Sequence, residues 1–269
     1  MIRKSLIGLI VPLVITGCLS TLENTLVYQP VPGAKTYEPP PAPIQDLELP
    51  MADGTRIHAR WAPHPKATGA VLYCHGNGGN IERCGKVVRE IWENLSESVL
   101  IIDYPGYGYS KGTPSEQSCD ASAETAYQWL TDTQKIPAGR ILLMGESLGG
   151  GVAVDLASRH DYRALILVRT FTSIADVADD QFPLLFSAPV VTNHFDNLKK
   201  IPLCKQPVFI AQADKDRTIP FRHGERLLHA CTAPAEICVL RGMEHNDPLP
   251  SEFYVALRQF LGKVPPRAP

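Results

Sequence analysis

Short, unbroken apolar runs recur along the chain, among them Ala70-Val-Leu-Tyr-Cys74, Ile141-Leu-Leu-Met144, Ala164-Leu-Ile-Leu-Val168 and Val208-Phe-Ile-Ala211. Each is too short for a buried helix and lacks polar alternation, the pattern of a strand covered on both faces. Strands are predicted near 46–50, 56–61, 70–74, 98–103, 140–144, 164–168, 207–211 and 236–240. Between them lie stretches of helical spacing, near 81–94, 116–132, 148–159, 221–231 and 250–261. Strand alternating with helix implies an α/β fold, a mainly parallel sheet with helices on both faces. The alternation breaks over 174–198. There Ala175-Asp-Val-Ala-Asp-Asp180 and Phe182-Pro-Leu-Leu-Phe-Ser-Ala-Pro189 suggest a small, partly apolar cap and an open pocket. The acids in that run are expected to form a solvated helix face.

Ahead of the domain, residues 1–17 read differently. Arg3 and Lys4 precede about ten apolar residues and a small-residue exit, too short for the ~20 residues that a membrane span needs. An export signal is expected. Residues 18–44 contain six prolines in the fourteen positions Pro30 to Pro43, a composition that predicts a semi-rigid, extended spacer. Leu22 to Tyr28 is more apolar and is expected to dock on the domain or on a membrane. The domain itself should occupy 45–264, long enough for one sizeable core.

The chemistry enters at Gly145-Glu-Ser147-Leu-Gly149-Gly-Gly151, which follows an apolar strand and opens a helix of small residues. That is the setting of a nucleophile elbow, a strained turn that projects the serine hydroxyl while glycines two positions away avoid collision. Gly108-Tyr-Ser110-Lys-Gly112 matches the same five-residue pattern but lacks the flanking strand and helix, so Ser110 reads as a loop residue near the site. An activated serine needs a histidine to take its proton and a carboxylate to orient the histidine. His245 lies in the loop after a late strand. Asp214 and Asp216 both follow the strand ending near Ala211; Asp216 is favoured, because Asp214 is nearer the strand end and suited to the turn. For an oxyanion hole, Leu148 supplies one backbone N–H. The loop His75-Gly-Asn77-Gly-Gly-Asn80 supplies the other, with Asn77 as the candidate.

With these residues in place, the chain resembles the α/β-hydrolase superfamily. It is most similar to the branch holding eukaryotic depalmitoylases and bacterial serine-aminopeptidase-like hydrolases. The matching segments are His75-Gly-Asn-Gly-Gly-Asn80, Asp103-Tyr-Pro-Gly-Tyr-Gly-Tyr-Ser-Lys-Gly112, Gly145-Glu-Ser-Leu-Gly-Gly150, Asp214-Lys-Asp216 and Gly242-Met-Glu-His-Asn-Asp247. The resemblance implies an eight-stranded α/β-hydrolase fold and the triad Ser147, Asp216 and His245. Asp216 stands three residues after Ala213, where the family usually has glycine. Two departures stand out. Pro105 replaces a common arginine, and Val168-Arg-Thr-Phe-Thr-Ser173 replaces Glu-Ser-Pro-Phe-Thr-Ser, which is expected to put the Arg169 cation near the rim of the site.

Ile15-Thr-Gly-Cys18 resembles a bacterial lipobox, which implies cleavage before Cys18, acylation of its sulfur and stable membrane attachment. Leu19 and Ser20 resemble the sorting positions of lipoproteins sent to the periplasmic side of an outer membrane. Loss of residues 1–17 would move the net charge from −2 to −4, so no electrostatic case exists for nucleic acid. Six cysteines remain; Cys204 with Cys231 is the expected disulfide, and Cys74 is expected to be a buried small hydrophobe. No zinc-like spacing occurs, and no metal or organic cofactor is expected. The expected activity is hydrolysis of carboxylic esters or thioesters by a monomer through an acyl-enzyme. Alternatives are a serine peptidase of aminopeptidase type and a non-catalytic envelope lipoprotein that retains the fold.

Overall fold

The computed structural model describes residues 25–181 and 192–267. The signal segment, Cys18 and Phe182–Pro189 of the expected cap therefore lie outside the described residues.

In chain order the strands are β1 (Gln29–Pro30), β2 (Gln45–Pro50), β3 (Arg56–Ala62), β4 (Ala70–Cys74), β5 (Gly78–Gly79), β6 (Ser98–Ile102), β7 (Ile141–Glu146), β8 (Ala164–Val168), β9 (Val208–Ala213) and β10 (Ala235–Leu240). The helices are α1 (Gly85–Leu95), α2 (Glu116–Gln128), α3 (Leu148–Arg159), α4 (Ile174–Gln181), α5 (Asn197–Lys200), α6 (Arg222–Ala230) and α7 (Ser251–Gly262). Eight strands form one sheet in the order β10-β9-β8-β7-β4-β6-β3-β2. All its pairings are parallel except those that β3 makes with β2 and β6. The fold is an α/β-hydrolase fold, and the unbroken apolar runs form its centre.

Alternate residues of each central strand enter different cores, as a period of two requires. Ala70, Leu72 and Cys74 face the layer containing α2, α3 and α6. Val71 and Tyr73 face the layer built on Val88 and Ile91 of α1 and on Phe253, Leu257 and Phe260 of α7. Each fully buried aliphatic side chain contributes roughly 1.5–3 kcal/mol, which is why so short a strand as β4 holds its register. The first helix begins later than predicted, at Gly85. The helical pattern over 116–132 is met by α2 followed by a wider turn over Trp129–Thr133.

Three expectations are corrected. The proline-rich segment does not stand off as a spacer: β1 pairs in parallel with β5, and Pro32 bridges to Gly108. Cys204 and Cys231 are free thiols; the first faces the carbonyls of Val154 and Lys200, and the second bonds back to Leu227 within α6. The acids of α4 are not simply solvated. Asp176 lies 3.2 Å from Arg226, and Asp180 pairs with Arg222 and with His223 at 2.8 Å, clamping the cap helix onto α6.

Candidate active site

Sheet strands that run parallel deliver their following loops to one edge, and the three polar residues arrive there from β7, β9 and β10. Ser147 sits between β7 and α3 with φ 52° and ψ −118°, a region that costs a non-glycine residue on the order of 1–3 kcal/mol. The turn is held from both sides. Ser147 donates its N–H to the Val168 carbonyl at 2.9 Å, and its own carbonyl accepts from Thr170 Oγ1 at 2.8 Å. The flanking glycines are obligatory on steric grounds. A Cβ on Gly145 would lie 2.2 Å from the Gly149 carbonyl oxygen, and one on Gly149 would lie 2.0 Å from that of Cys74.

From the loop after β10, His245 Nε2 stands 3.0 Å from Ser147 Oγ. Its Nδ1 lies 2.7 Å from Asp216 Oδ2, whose side chain is fully buried. Asp216 is itself fixed, because Oδ1 accepts the backbone N–H groups of Thr218 and Ile219, each at 2.8 Å. A carboxylate held in this way keeps the proton on Nδ1 and leaves Nε2 facing the serine as an acceptor. Asp214 instead ties its loop to the one after β10, accepting the Gly242 N–H at 2.6 Å. Asp247 caps its own loop by accepting the Glu244 N–H at 2.8 Å.

Leu148 opens α3, so its N–H is among the four that have no partner within the helix. The loop after β4 runs beside the serine: a Cβ on Gly76 would come 3.5 Å from Ser147 Cβ. Asn77 follows, and its carbonyl is pinned by the Tyr107 hydroxyl at 2.9 Å and by the Gln29 N–H at 3.2 Å. Asn77, Ser147, Leu148 and His245 all line one cavity of about 390 Å³ whose remaining walls are largely apolar. Ser110 does not line it. That side chain is a buried tie, donating to the Asp103 carbonyl at 2.7 Å and accepting from the His58 N–H at 2.8 Å.

The family profile of the alpha/beta hydrolase fold matches residues 69–190. Uncharacterized protein Rv2307c of Mycobacterium tuberculosis is 33% identical over 264 residues, covering 94% of this chain and 92% of the relative. Human alpha/beta hydrolase domain-containing protein 17B is 31% identical over 216 residues, covering 78% of this chain and 72% of its own. This chain belongs to the α/β-hydrolase family. Among solved structures, the Pyrococcus furiosus esterase Pf2001 matches this α/β hydrolase with a TM-score of 0.70, covering 88% of this chain and 98% of that one. At 17% identity, the likeness is one of fold.

Arg169 is not at the rim of this hydrolase's site. It is 3% exposed and lies under the site with a positive φ of 48°. Its Nη2 contacts Glu146 Oε1, and its Nη1 donates to the Asp247 carbonyl at 2.5 Å. Arg169, which stands where the motif more often has serine, thus supplies a largely buried ion pair rather than a surface charge. Thr170, which braces the nucleophile turn, carries no local sequence signal. Leu26 and Val27, from the apolar stretch expected to dock on the domain or on a membrane, enter the cavity wall with Gln29. Among the described residues, no group of three or more histidine, cysteine or acidic side chains is placed to hold a metal ion.

Proposed function

We propose that this α/β hydrolase cleaves carboxylic esters or thioesters by transferring the acyl group to Ser147 and then to water. The observation that carries the reading is the hydrogen-bonded series Ser147 Oγ, His245 and Asp216, at 3.0 and 2.7 Å, opening on a largely apolar cavity. In the first half-reaction Oγ attacks the acyl carbonyl carbon while Nε2 takes its proton. The carbonyl oxygen becomes an oxyanion facing the N–H groups of Leu148 and Asn77. Collapse expels the alcohol or thiol, which leaves with the proton from Nε2. Water then repeats the sequence on the acyl-serine, and the carboxylic acid departs.

The cavity chemistry favours an uncharged acyl group over a peptide amino terminus. No acidic side chain is among the described residues that line it, so nothing there would pair with an ammonium group. Esterase and lipase structures are among the fold neighbours, and so is a puromycin-hydrolyzing peptidase, so the choice rests on the cavity. The sequence Ile15-Thr-Gly-Cys18 supports the further proposal of a diacylglycerol anchor on Cys18 that holds the enzyme in the cell envelope, facing an outer-membrane periplasm.

A fluorophosphonate probe tests the chemistry, because it reacts only with an activated serine. Labelling of the wild type that is lost in Ser147→Ala supports the reading, and an unlabelled but folded wild type would leave a non-catalytic envelope lipoprotein. Turnover of acyl esters, acyl thioesters and aminoacyl amides then ranks the substrate classes. For the anchor, Cys18→Ser should release the protein from membranes; retention there would refute acylation.

A further inference from the structure

The cavity beside Ser147 draws part of its wall from a segment that precedes the domain by some twenty residues. Leu26 and Val27 line it together with Phe171, Ile174 and Val177, and the same cavity is lined by Ser147 and His245. Leu26 remains 46% exposed, as a residue at the cavity's edge would be.

This segment is not loosely laid on the surface. Immediately after Val27, Tyr28 is 2% exposed, and its hydroxyl donates to Asn193 Oδ1 at 2.8 Å. Its ring stands edge-on to Phe195, with 6.4 Å between centroids. Gln29 donates its N–H to the Asn77 carbonyl at 3.2 Å, and Val31 donates to that of Gly79 at 3.1 Å. The segment is therefore registered by backbone bonds on the same loop that presents Asn77 to the site. A wall fixed to that loop keeps a constant distance from the reacting carbonyl, which is what a measure of chain length requires.

Resting on the acyl-transfer reading above, we propose that Leu26 and Val27 form the specificity wall of the acyl site. They and the apolar face of α4 enclose the first methylenes beyond the carbonyl of a straight-chain acyl group. The pre-domain segment is thus part of the substrate-binding machinery and not only a leader to the fold. Each methylene that the wall removes from water should raise kcat/KM by about fourfold.

The test is made on the full chain with p-nitrophenyl acetate, butyrate and octanoate, read as the octanoate-to-acetate ratio of kcat/KM. The double variant Leu26→Ala/Val27→Ala should lower that ratio about tenfold or more. Val27→Trp, which fills the cavity where the alanines empty it, should move the preferred chain toward butyrate or acetate. Leu203→Ala is the control, at an exposed apolar position away from the cavity, and should keep the wild-type ratio. A ratio within twofold of wild type in both wall variants, with Ser147 still labelled by fluorophosphonate, overturns the wall and spares the hydrolase. A folded wild type that neither labels nor turns over any ester overturns both.

Discussion

Arg169 donates from the turn after β8 to the carbonyl of Asp247, two residues beyond His245, and so joins the nucleophile strand to the loop that presents the histidine. Its Nη2 contacts Glu146, the residue before the serine, and Tyr73 donates to the other Glu146 oxygen at 2.5 Å. Two loops that must meet within hydrogen-bond distance are thereby clamped from beneath by one cation.

Arg169→Met should lower unfolding stability by about 2–4 kcal/mol, because it strips a largely buried carboxylate of its counter-charge. Glu146→Gln in the same chain should recover part of that loss, which a double-mutant cycle in urea would read as coupling between the two sites. Arg169→Lys should not substitute, since an ammonium cannot reach a carboxylate and two loop carbonyls in the geometry of a guanidinium. Equal stability of wild type and Arg169→Met would show that the clamp contributes nothing.

Ser147→Ala should reduce turnover by about 10⁵–10⁶ while leaving the melting curve close to wild type, because the change removes one half-buried hydroxyl and leaves the turn itself intact. Asp216→Asn should cost on the order of 10⁴, since an amide no longer holds the imidazole in the tautomer that accepts the serine proton. Its effect should fall on kcat more than on KM. Stopped-flow measurement of the acyl-enzyme burst checks both, and a full burst in Ser147→Ala would exclude that hydroxyl as the nucleophile.

The parts of this site that the sequence revealed are those in which one local motif contains its own constraint. Ser147 was legible because Gly145 and Gly149 leave room that only a turn needs, and both glycines prove to abut backbone oxygens. Asp216 and His245 follow strands whose apolar runs were unbroken, so their loops could be assigned to one edge of the sheet. Arg169 was placed at the rim because sequence position gives its loop but not its direction. A positive φ and two carbonyl acceptors in another loop turn it inward. Proline content predicts a semi-rigid, extended spacer, yet Pro30 and Pro32 fall where β1 and its following bridge need no N–H from them. Such pairing depends on the partner loop, which composition does not describe. The disulfide expectation failed for a related reason, since parity and compartment say nothing about which thiols meet.

Gly149→Ala should abolish stable folding rather than activity alone. The added methyl would lie 2.0 Å from the Cys74 oxygen and 2.6 Å from that of His75, both on backbone that the sheet holds fixed. Overpacking against backbone exceeds the ~1–3 kcal/mol typical of a crowded but yielding core. Gly78→Ala is the comparison, because a Cβ there meets nothing within 4 Å and its φ is not in the left-handed region. The expected readout is aggregation or a non-cooperative melt for the first and a cooperative transition for the second. Similar melts would mean that the elbow relaxes more readily than its geometry implies.

The remaining prediction concerns pH and lies away from the site, where α2 and α3 meet. Burial, and next the nearby Asp155, push the Asp120 carboxyl up to about 8, with Lys200 opposing. Asp155 keeps its own charge, since Lys200 at 2.8 Å and Arg159 at 2.7 Å hold its carboxyl below the usual value. Between pH 4 and 8 the folded chain therefore retains a proton on Asp120 that the unfolded chain has released. The sign follows from linkage: the state binding more protons is favoured at low pH, so this residue makes stability fall as pH rises through that window. Asp120→Asn cannot ionise and should flatten that decline. Its melting temperature should match wild type below about pH 4 and exceed it near pH 8.5, by about 2–4 °C for each kcal/mol regained. Thermal melts across that range decide it: parallel curves for the two proteins would mean that Lys200 and Arg159 already neutralise the second carboxylate, and that Asp120 is ionised in the fold.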